Sequence, residues 1–229
     1  EFTMLEAYQA YGDQTTIAAL IRDLYLAVAD ELGSRVVQTP RGTVDLGGPW
    51  RWLPVYQAVS EAVGEAVTPA TPLATLTRYA AQQDIALDPA WGADKVVLEL
   101  LSELVEPHLL QPTFLCDYPA IAQPLARPHR SEPGLIEAWD LIIAGVERGT
   151  GFSELIDPVI QREVLVAQSL KAAGGDEEAM VVDEDFLAAL EFGAPPMGGL
   201  GLGIDRLVML FTGSNIRETI LFPLLKPED

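Results

Sequence analysis

Residues 199–206 of this 229-residue chain read Gly-Leu-Gly-Leu-Gly-Ile-Asp-Arg, and no other stretch restricts the fold as tightly. Three glycines at every second residue let a backbone pass close to something flat or charged. The polar pair Asp205-Arg206 follows at once. Leu207-Val-Met-Leu-Phe211 then runs apolar into Thr212-Gly213, the pattern of a buried helix with a glycine stop. An arginine at the start of such a helix has the geometry to meet a phosphate or to stack on a base. Taken alone, a glycine run of this kind serves equally well as tight strand-to-helix packing.

The rest of the chain supports a packed domain around that stretch. Hydrophobic residues make up 49% of it, enough for one large domain and too many for wholesale disorder. No apolar run approaches the ~18 residues that a membrane span needs. The single cysteine, Cys116, excludes an internal disulfide, suits a reducing compartment and reads as a small core residue. Lys plus Arg is 14 against 34 Asp plus Glu, a formal net charge of −20. Such a chain repels a nucleic-acid backbone unless its few cations cluster, and no basic run supplies that cluster.

Residues 14–33 predict an amphipathic helix on Ile17, Leu20, Ile21, Leu24 and Val28, with Thr15 or Thr16 as cap and Gly33 as stop. Residues 34–50 predict a hairpin turning at Arg41-Gly42 between Val36-Val37 and Val44. Residues 53–110 read as helical pieces broken at Pro69, Pro72 and Pro89, the last with Val96, Val97, Leu100, Leu101, Leu104 and Val105 on one side. Residues 112–156 turn to strands, and 158–173 and 183–192 return to helices separated by Gly174-Gly175. Regular βαβ units are missing, so the expected class is α+β rather than a Rossmann sheet.

Asp140 and Glu147 are seven apart and would face opposite sides of one continuous strand. A turn at Ala144-Gly145 puts Ile142 opposite Glu147 and brings both carboxylates to one surface as diagonal neighbours. Such a pair is either a solvated hairpin face or a cation site, since two like charges that close repel unless a cation lies between them. Hard oxygen donors suit magnesium, which takes one or two carboxylates plus substrate phosphates. Thr150, Phe152 and Glu154 share a parity that differs from that of Glu147. For all four to face one site the strand needs a bulge, which Gly149 or Gly151 could supply.

The glycine stretch together with Ile216-Arg-Glu-Thr-Ile-Leu-Phe-Pro223 closely resembles the third signature motif of class II aminoacyl-tRNA synthetases, in the wording of the lysine-specific subgroup. The resemblance continues through Gln111-Pro-Thr-Phe114, Pro124-Leu-Ala-Arg127, Thr150–Leu155, Gly175–Met180 and Asp183–Phe186. Glu1-Phe-Thr-Met-Leu-Glu-Ala-Tyr8 resembles the second half of that family's motif 2. The resemblance implies an antiparallel sheet flanked by helices and an ATP-dependent lysine–tRNA ligase. Phe2 would stack on adenine, Arg206 would cover its other face and reach the γ-phosphate, and Gly201 and Gly203 would leave the nucleotide room. Asp140 and Glu147 would bind magnesium and ATP; Asp140 stands where the family usually has a glutamate. Glu154, Glu6 and Tyr8 would surround the ε-ammonium of L-lysine, with Phe152 on its aliphatic stem. Thr150, an asparagine in most lysine enzymes, would lie by the substrate carboxylate. Arg127, His129 and Arg130 receive no assignment, and His108 reads as a helix-end histidine.

Motif 1, the anticodon-binding barrel and the first half of motif 2 have no counterpart in these residues. The resemblance therefore implies the C-terminal portion of a catalytic domain, starting inside motif 2, from a longer homodimeric enzyme that meets the acceptor end of tRNA(Lys). The 229 residues by themselves are expected to be inactive. Pro128-His-Arg-Ser131 and Thr150 resemble the actinobacterial version, which can be fused behind a membrane lysylphosphatidylglycerol synthase. Location is then cytoplasmic, or membrane-associated in such a fusion. Two other readings stay open: a paralogue that lysylates a protein such as elongation factor P, and a non-catalytic synthetase-like module. The module reading predicts loss of the acids and the arginine, whereas Asp140, Glu147, Glu154 and Arg206 are all present.

Overall fold

A computed structural model of the chain describes residues 2–173 and 179–223. Gly174-Gly175 and the first part of the 175–180 segment lie outside the described residues. In chain order the elements are β1 (Met4–Ala10), α1 (Gln14–Glu31), β2 (Val36–Thr39), β3 (Gly42–Asp45), β4 (Arg51–Pro54), α2 (Val55–Val63), α3 (Leu73–Gln82) and α4 (Ala93–Leu104). A 3₁₀ turn (Glu106–His108) leads to β5 (Thr113–Pro119), β6 (Leu135–Ile143), β7 (Val146–Ser153), α5 (Pro158–Ala173), α6 (Glu184–Glu191), β8 (Met197–Gly203), α7 (Ile204–Thr212) and α8 (Ile216–Thr219).

Six strands form one sheet in the order β1-β8-β7-β6-β5-β4, antiparallel except for the β4–β5 pair, and β2–β3 is a separate hairpin. This is the α+β class that the missing βαβ units predict. Strands β5 and β6 are buried along almost their whole length because both faces of the sheet are covered there. On one face Phe114, Trp139, Leu141, Leu200 and Leu202 pack against Ile17, Ile21 and Tyr25 of α1. On the other, Leu53, Leu115, Ala138 and Ile142 pack under Leu76, Val96, Val97, Leu100 and Leu101 of α3 and α4. That second face is covered by helices only over β4 to β6, and the uncovered part holds the site.

Several local expectations are corrected. Asp13, not a threonine, caps α1: its carboxylate accepts from the backbone N–H of Thr15 and Thr16 at 3.0 and 3.2 Å. The Thr15 hydroxyl, donating at 2.6 Å, and then the Thr16 N–H and Arg130 hold its carboxyl at about 2, below the ordinary range. Leu20 is exposed, and Tyr25 and Ala29 complete the buried stripe of α1 instead. The β2–β3 turn is Pro40-Arg41, one residue earlier than expected, because Thr39 pairs with Gly42. The stretch at residue 53 is a strand before it is a helix, with Leu53 buried beside Leu115. Among the described residues no helix is long and apolar enough to cross a membrane.

Candidate active site

The register of the sheet assembles the site. Gly201 of β8 is paired with Glu6 on one side and Thr150 on the other, and Thr150 is paired in turn with Asp140. One row along, Gly199 stands between Tyr8 and Phe152, and Phe152 faces Ala138. Directly paired residues put their side chains on the same face. Glu6, Tyr8, Thr150, Phe152 and Asp140 therefore line one surface, and the glycines form a trough between β1 and β7.

Glu147 joins that surface through the turn and a bulge. Ala144 and Gly145 both have positive φ, 54° and 65°, as a two-residue hairpin turn with matching twist requires. Ile142 pairs with Glu147, yet Leu141 pairs with Gly149, so Arg148 is the inserted residue. The bulge is where the parity argument requires one, but at Arg148 rather than at a glycine. Its side chain turns inward and donates to the carbonyls of Ile143 and Arg206, which anchors the extra residue.

At one end of the trough, Phe2, Met4, Glu147, Thr150, Gly201 and Arg206 border a cavity of about 410 Å³. Arg206 Nη1 donates to the Glu147 carbonyl at 3.0 Å and lies 3.3 Å from the Glu147 carboxylate. Both side chains are close to half exposed, so this pair is a screened one, weakly held and free to admit a ligand. Asp205 accepts from the Thr3 N–H at 3.0 Å, and the Ile204 N–H donates to the Thr3 carbonyl at 2.9 Å. This clasp ties Phe2 and Arg206 to one another. The motif reading had given Asp205 and Thr3 no part.

Behind that cavity the carboxylates crowd. Burial first, and then Glu147, pushes the Asp140 carboxyl up to about 6. Glu106 of the 3₁₀ turn is pushed up by burial and then by Asp140 and Glu147, so a third acid adjoins the pair. The Tyr118 hydroxyl is buried beside Asp140 and has no partner within hydrogen-bond geometry among the described residues, although its proximity to that carboxyl is close enough to perturb both groups. Neither Glu106 nor Tyr118 was singled out in the sequence. Glu106 lies 34 positions before Asp140, and only the fold joins them. Among the described residues no three acids, histidines or cysteines enclose a metal by themselves. The donors are all oxygen, and two crowded carboxylates without a full cage fit magnesium, which completes its shell with water and phosphate.

At the other end of the trough the Glu154 carboxylate is turned inward. Its Oε1 is buried without a partner among the described residues, and burial pushes its carboxyl up to about 7. Tyr8 donates to Glu6 at 3.2 Å, and its phenol is raised first by burial and then by Glu6 and Glu154. A side chain at Gly199 would collide with Glu154 and Tyr8. Glycine is thus what lets the two groups meet. Phe152 packs partly against the helical core cluster as well as facing the trough.

Two of the basic residues left unassigned, Arg130 and His129, have structural partners. Arg130 bridges Asp13 and the buried Glu137, at 3.1 and 2.7 Å. His129 Nδ1 accepts from the Glu132 N–H at 3.0 Å, and its other nitrogen lies 3.7 Å from Asp117. A wider cleft of about 760 Å³ beside Trp91, Lys95 and Ile121 shares no lining residue with the trough.

A mostly antiparallel sheet whose glycine strand runs into an arginine-bearing helix, flanked by helices on both faces, is the catalytic fold of a class II aminoacyl-tRNA synthetase. The chain matches the model of class II tRNA synthetases (D, K and N) over residues 1–226, and it belongs to that family. It is 52% identical over 233 residues to the lysylphosphatidylglycerol biosynthesis bifunctional protein LysX of Mycobacterium marinum, a match covering 99% of this chain and 21% of that protein. It is 50% identical over 230 residues to the lysine–tRNA ligase of Mycolicibacterium gilvum, covering 99% of this chain and 46% of that protein. The chain thus spans less than half the length of these relatives.

Proposed function

We propose that this chain forms the C-terminal part of the catalytic domain of a lysine–tRNA ligase, which activates L-lysine with ATP and passes the lysyl group to tRNA(Lys). The observation that carries the reading is the trough itself. A half-buried glutamate whose Oε1 has no partner among the described residues stands at one end, and a cavity bordered by an aromatic ring and a guanidinium stands at the other. An ε-ammonium offers Glu154 the charge partner and hydrogen-bond donor that its orphan oxygen lacks, with Glu6 and Tyr8 as further acceptors. The amino-acid carboxylate then lies near Thr150, pointing toward the nucleotide cavity.

In that arrangement Phe2 and Arg206 sandwich the adenine, and Arg206 also neutralises phosphate charge. The lysine carboxylate oxygen attacks the α-phosphorus, the bond to the bridging oxygen breaks, and pyrophosphate leaves with the electron pair. The product is lysyl-adenylate, whose acyl group moves to a ribose hydroxyl at the tRNA 3′ end as AMP departs. Residues of this chain contribute position and charge, the main sources of rate in such reactions. Asp140 and Glu147 would hold magnesium, which supplies charge neutralisation at the phosphates when bound.

Names of the relatives support two settings for the product, protein synthesis and supply of lysyl-tRNA to lysylphosphatidylglycerol formation. A net charge of −20 supports a division of labour in which the tRNA body is gripped outside these residues, in a homodimeric full-length enzyme. Nothing in the site favours a protein acceptor such as elongation factor P. Lysine-dependent ATP–pyrophosphate exchange by the full-length protein tests the reading. Glu154→Gln should raise the KM for lysine alone, and Arg206→Ala should raise the KM for ATP. Unchanged lysine dependence in Glu154→Gln removes the ammonium assignment.

A further inference from the structure

Arg148, the residue inserted at the β7 bulge, has a side chain buried to 5% exposure. Buried guanidinium groups are ordinarily paired with carboxylates, because an uncompensated charge is costly away from water. Among the described residues no carboxylate pairs with Arg148. Its partners are two backbone carbonyls instead. Nε donates to Ile143 O at 3.3 Å, and Nη1 donates to Arg206 O at 2.6 Å. The Arg148 carbonyl in turn accepts from the buried Tyr25 hydroxyl at 3.3 Å. One residue therefore joins the end of β6, the first turn of α7 and the middle of α1.

The join matters because α7 lacks a local anchor where it begins. Its cap residue is Gly203, with no side-chain bond to the helix. The first turn is fixed from outside, by the Asp205–Thr3 bond on one side and by Arg148 on the other. Neighbouring residues of one bulge consequently grip Arg206 at both ends. Glu147 takes the guanidinium, and Arg148 takes the carbonyl.

We propose that Arg148 is a positioning residue for the nucleotide site, holding the first turn of α7 on the β7 bulge so that the Arg206 guanidinium projects over the cavity bordered by Phe2. The planar fork suits the task, since it reaches two carbonyls at a fixed angle, which an ammonium on a flexible stem does not do. The inference rests on the nucleotide role of Arg206.

The test is a double-mutant cycle in the full-length protein. Equilibrium affinities are measured separately for a non-hydrolysable ATP analogue and for lysine, alongside the melting temperature. Arg148→Met should weaken the analogue by roughly ten- to a hundredfold, the cost of a displaced catalytic group. Lysine affinity should stay within about twofold, and in an Arg206→Ala background Arg148→Met should add little, as expected for coupled residues. Arg148→Lys should fall between wild type and Arg148→Met, and it carries the test if the methionine variant does not fold. Equal losses for both ligands, or full additivity with Arg206→Ala, would reduce Arg148 to a structural residue. A silent Arg148→Met beside a defective Arg206→Ala also overturns the inference while leaving the nucleotide site standing. If Arg206→Ala itself binds the analogue normally, the nucleotide reading has failed instead.

Discussion

One face of the six-stranded sheet carries two unlike surfaces. Over β4, β5 and β6 it is sealed by α2, α3 and α4, with Leu53, Leu115, Ala138 and Ile142 inside the core. Over β7, β8 and β1 the same face presents Thr150, Gly201, Gly199, Glu6 and Tyr8. Strand pairing runs on across both halves, with the register between β6 and β7 shifted only at the Arg148 bulge, so pairing alone does not make the difference. Side chains do. Apolar residues on the first half draw a helical layer over themselves at about 25 cal/mol per Å². A helical layer over the second would bury carboxylates without partners, at a cost no apolar contact offsets. Asp140 sits on the border and shows the strain of that position, its carboxyl pushed up to about 6. The lesson is that the site is the part of the sheet that the core could not cover.

The largest effect that would sharpen this contrast belongs to the open half. Arg206→Ala should cut lysine-dependent pyrophosphate exchange by about 10²–10³, or roughly 3–4 kcal/mol of transition-state stabilisation. The melting temperature should barely move, because the Arg206 side chain is 43% exposed. The covered half should answer in the opposite currency. Leu100→Ala should cost about 3 kcal/mol of unfolding free energy by leaving a cavity. Leu100 is fully buried among α2, α3 and α4, and the KM values for lysine and ATP should survive its truncation. A variant in one half that moved both readouts equally would break the division.

A smaller effect concerns the acid left inside the trough. Glu154 has a folded-state pKa of about 7, against an ordinary 4.5. The folded chain therefore keeps a proton that the unfolded chain loses. Its contribution to stability is complete below about pH 4.5 and is lost as pH rises to 7, by about 1–3 kcal/mol. Urea unfolding at pH 5 and pH 8 measures it, and Glu154→Gln should flatten that part of the profile. Lysine should bind with proton release near pH 6.5, since the ammonium needs the ionised form. Glu154→Gln with an unchanged stability profile and unchanged lysine binding would falsify both the burial argument and the ammonium assignment.

Much of this division was legible in the sequence. The β-prone start of β5 and end of β6, the helical spacing of α4 and the turn at Ala144-Gly145 follow from propensity, periodicity and glycine placement. So does the pairing of Ile142 with Glu147, and the need for a bulge follows from parity. The bulge's position was not readable, because it is fixed in part by a carbonyl of α7, 58 residues further along the chain. Strand β4 was hidden because Arg51-Trp-Leu-Pro54 buries only Leu53 fully and offers no alternation. The cap at Asp13 was obscured by two adjacent threonines that donate to it instead of capping. Glu106 and Tyr118 carry no local mark of their place behind Asp140; only the β5–β6 pairing and the 3₁₀ turn bring them there. Sequence patterns report what a residue does to its own element, and the unread parts are bonds between elements.

The smallest expected change in stability tests whether the open half is a site or merely a gap. A methyl group on Gly201 would meet Met4 Cε at 3.6 Å and Thr150 Cγ2 at 3.8 Å, ordinary contact distances. Gly201→Ala should therefore fold normally, with stability within about 1 kcal/mol of wild type and, if anything, raised by the reduced freedom of the unfolded chain. Nucleotide affinity should nonetheless fall, because the methyl would stand on the floor that the adenine and ribose must approach. Gly199→Ala should do the converse: Glu154 and Tyr8 must move to admit the methyl, so lysine binding suffers and ATP binding does not. Two alanines two residues apart on β8 would then separate the two substrates. If Gly201→Ala bound ATP as wild type does, the space above β8 would be no nucleotide floor, and the contrast between the halves would reduce to packing.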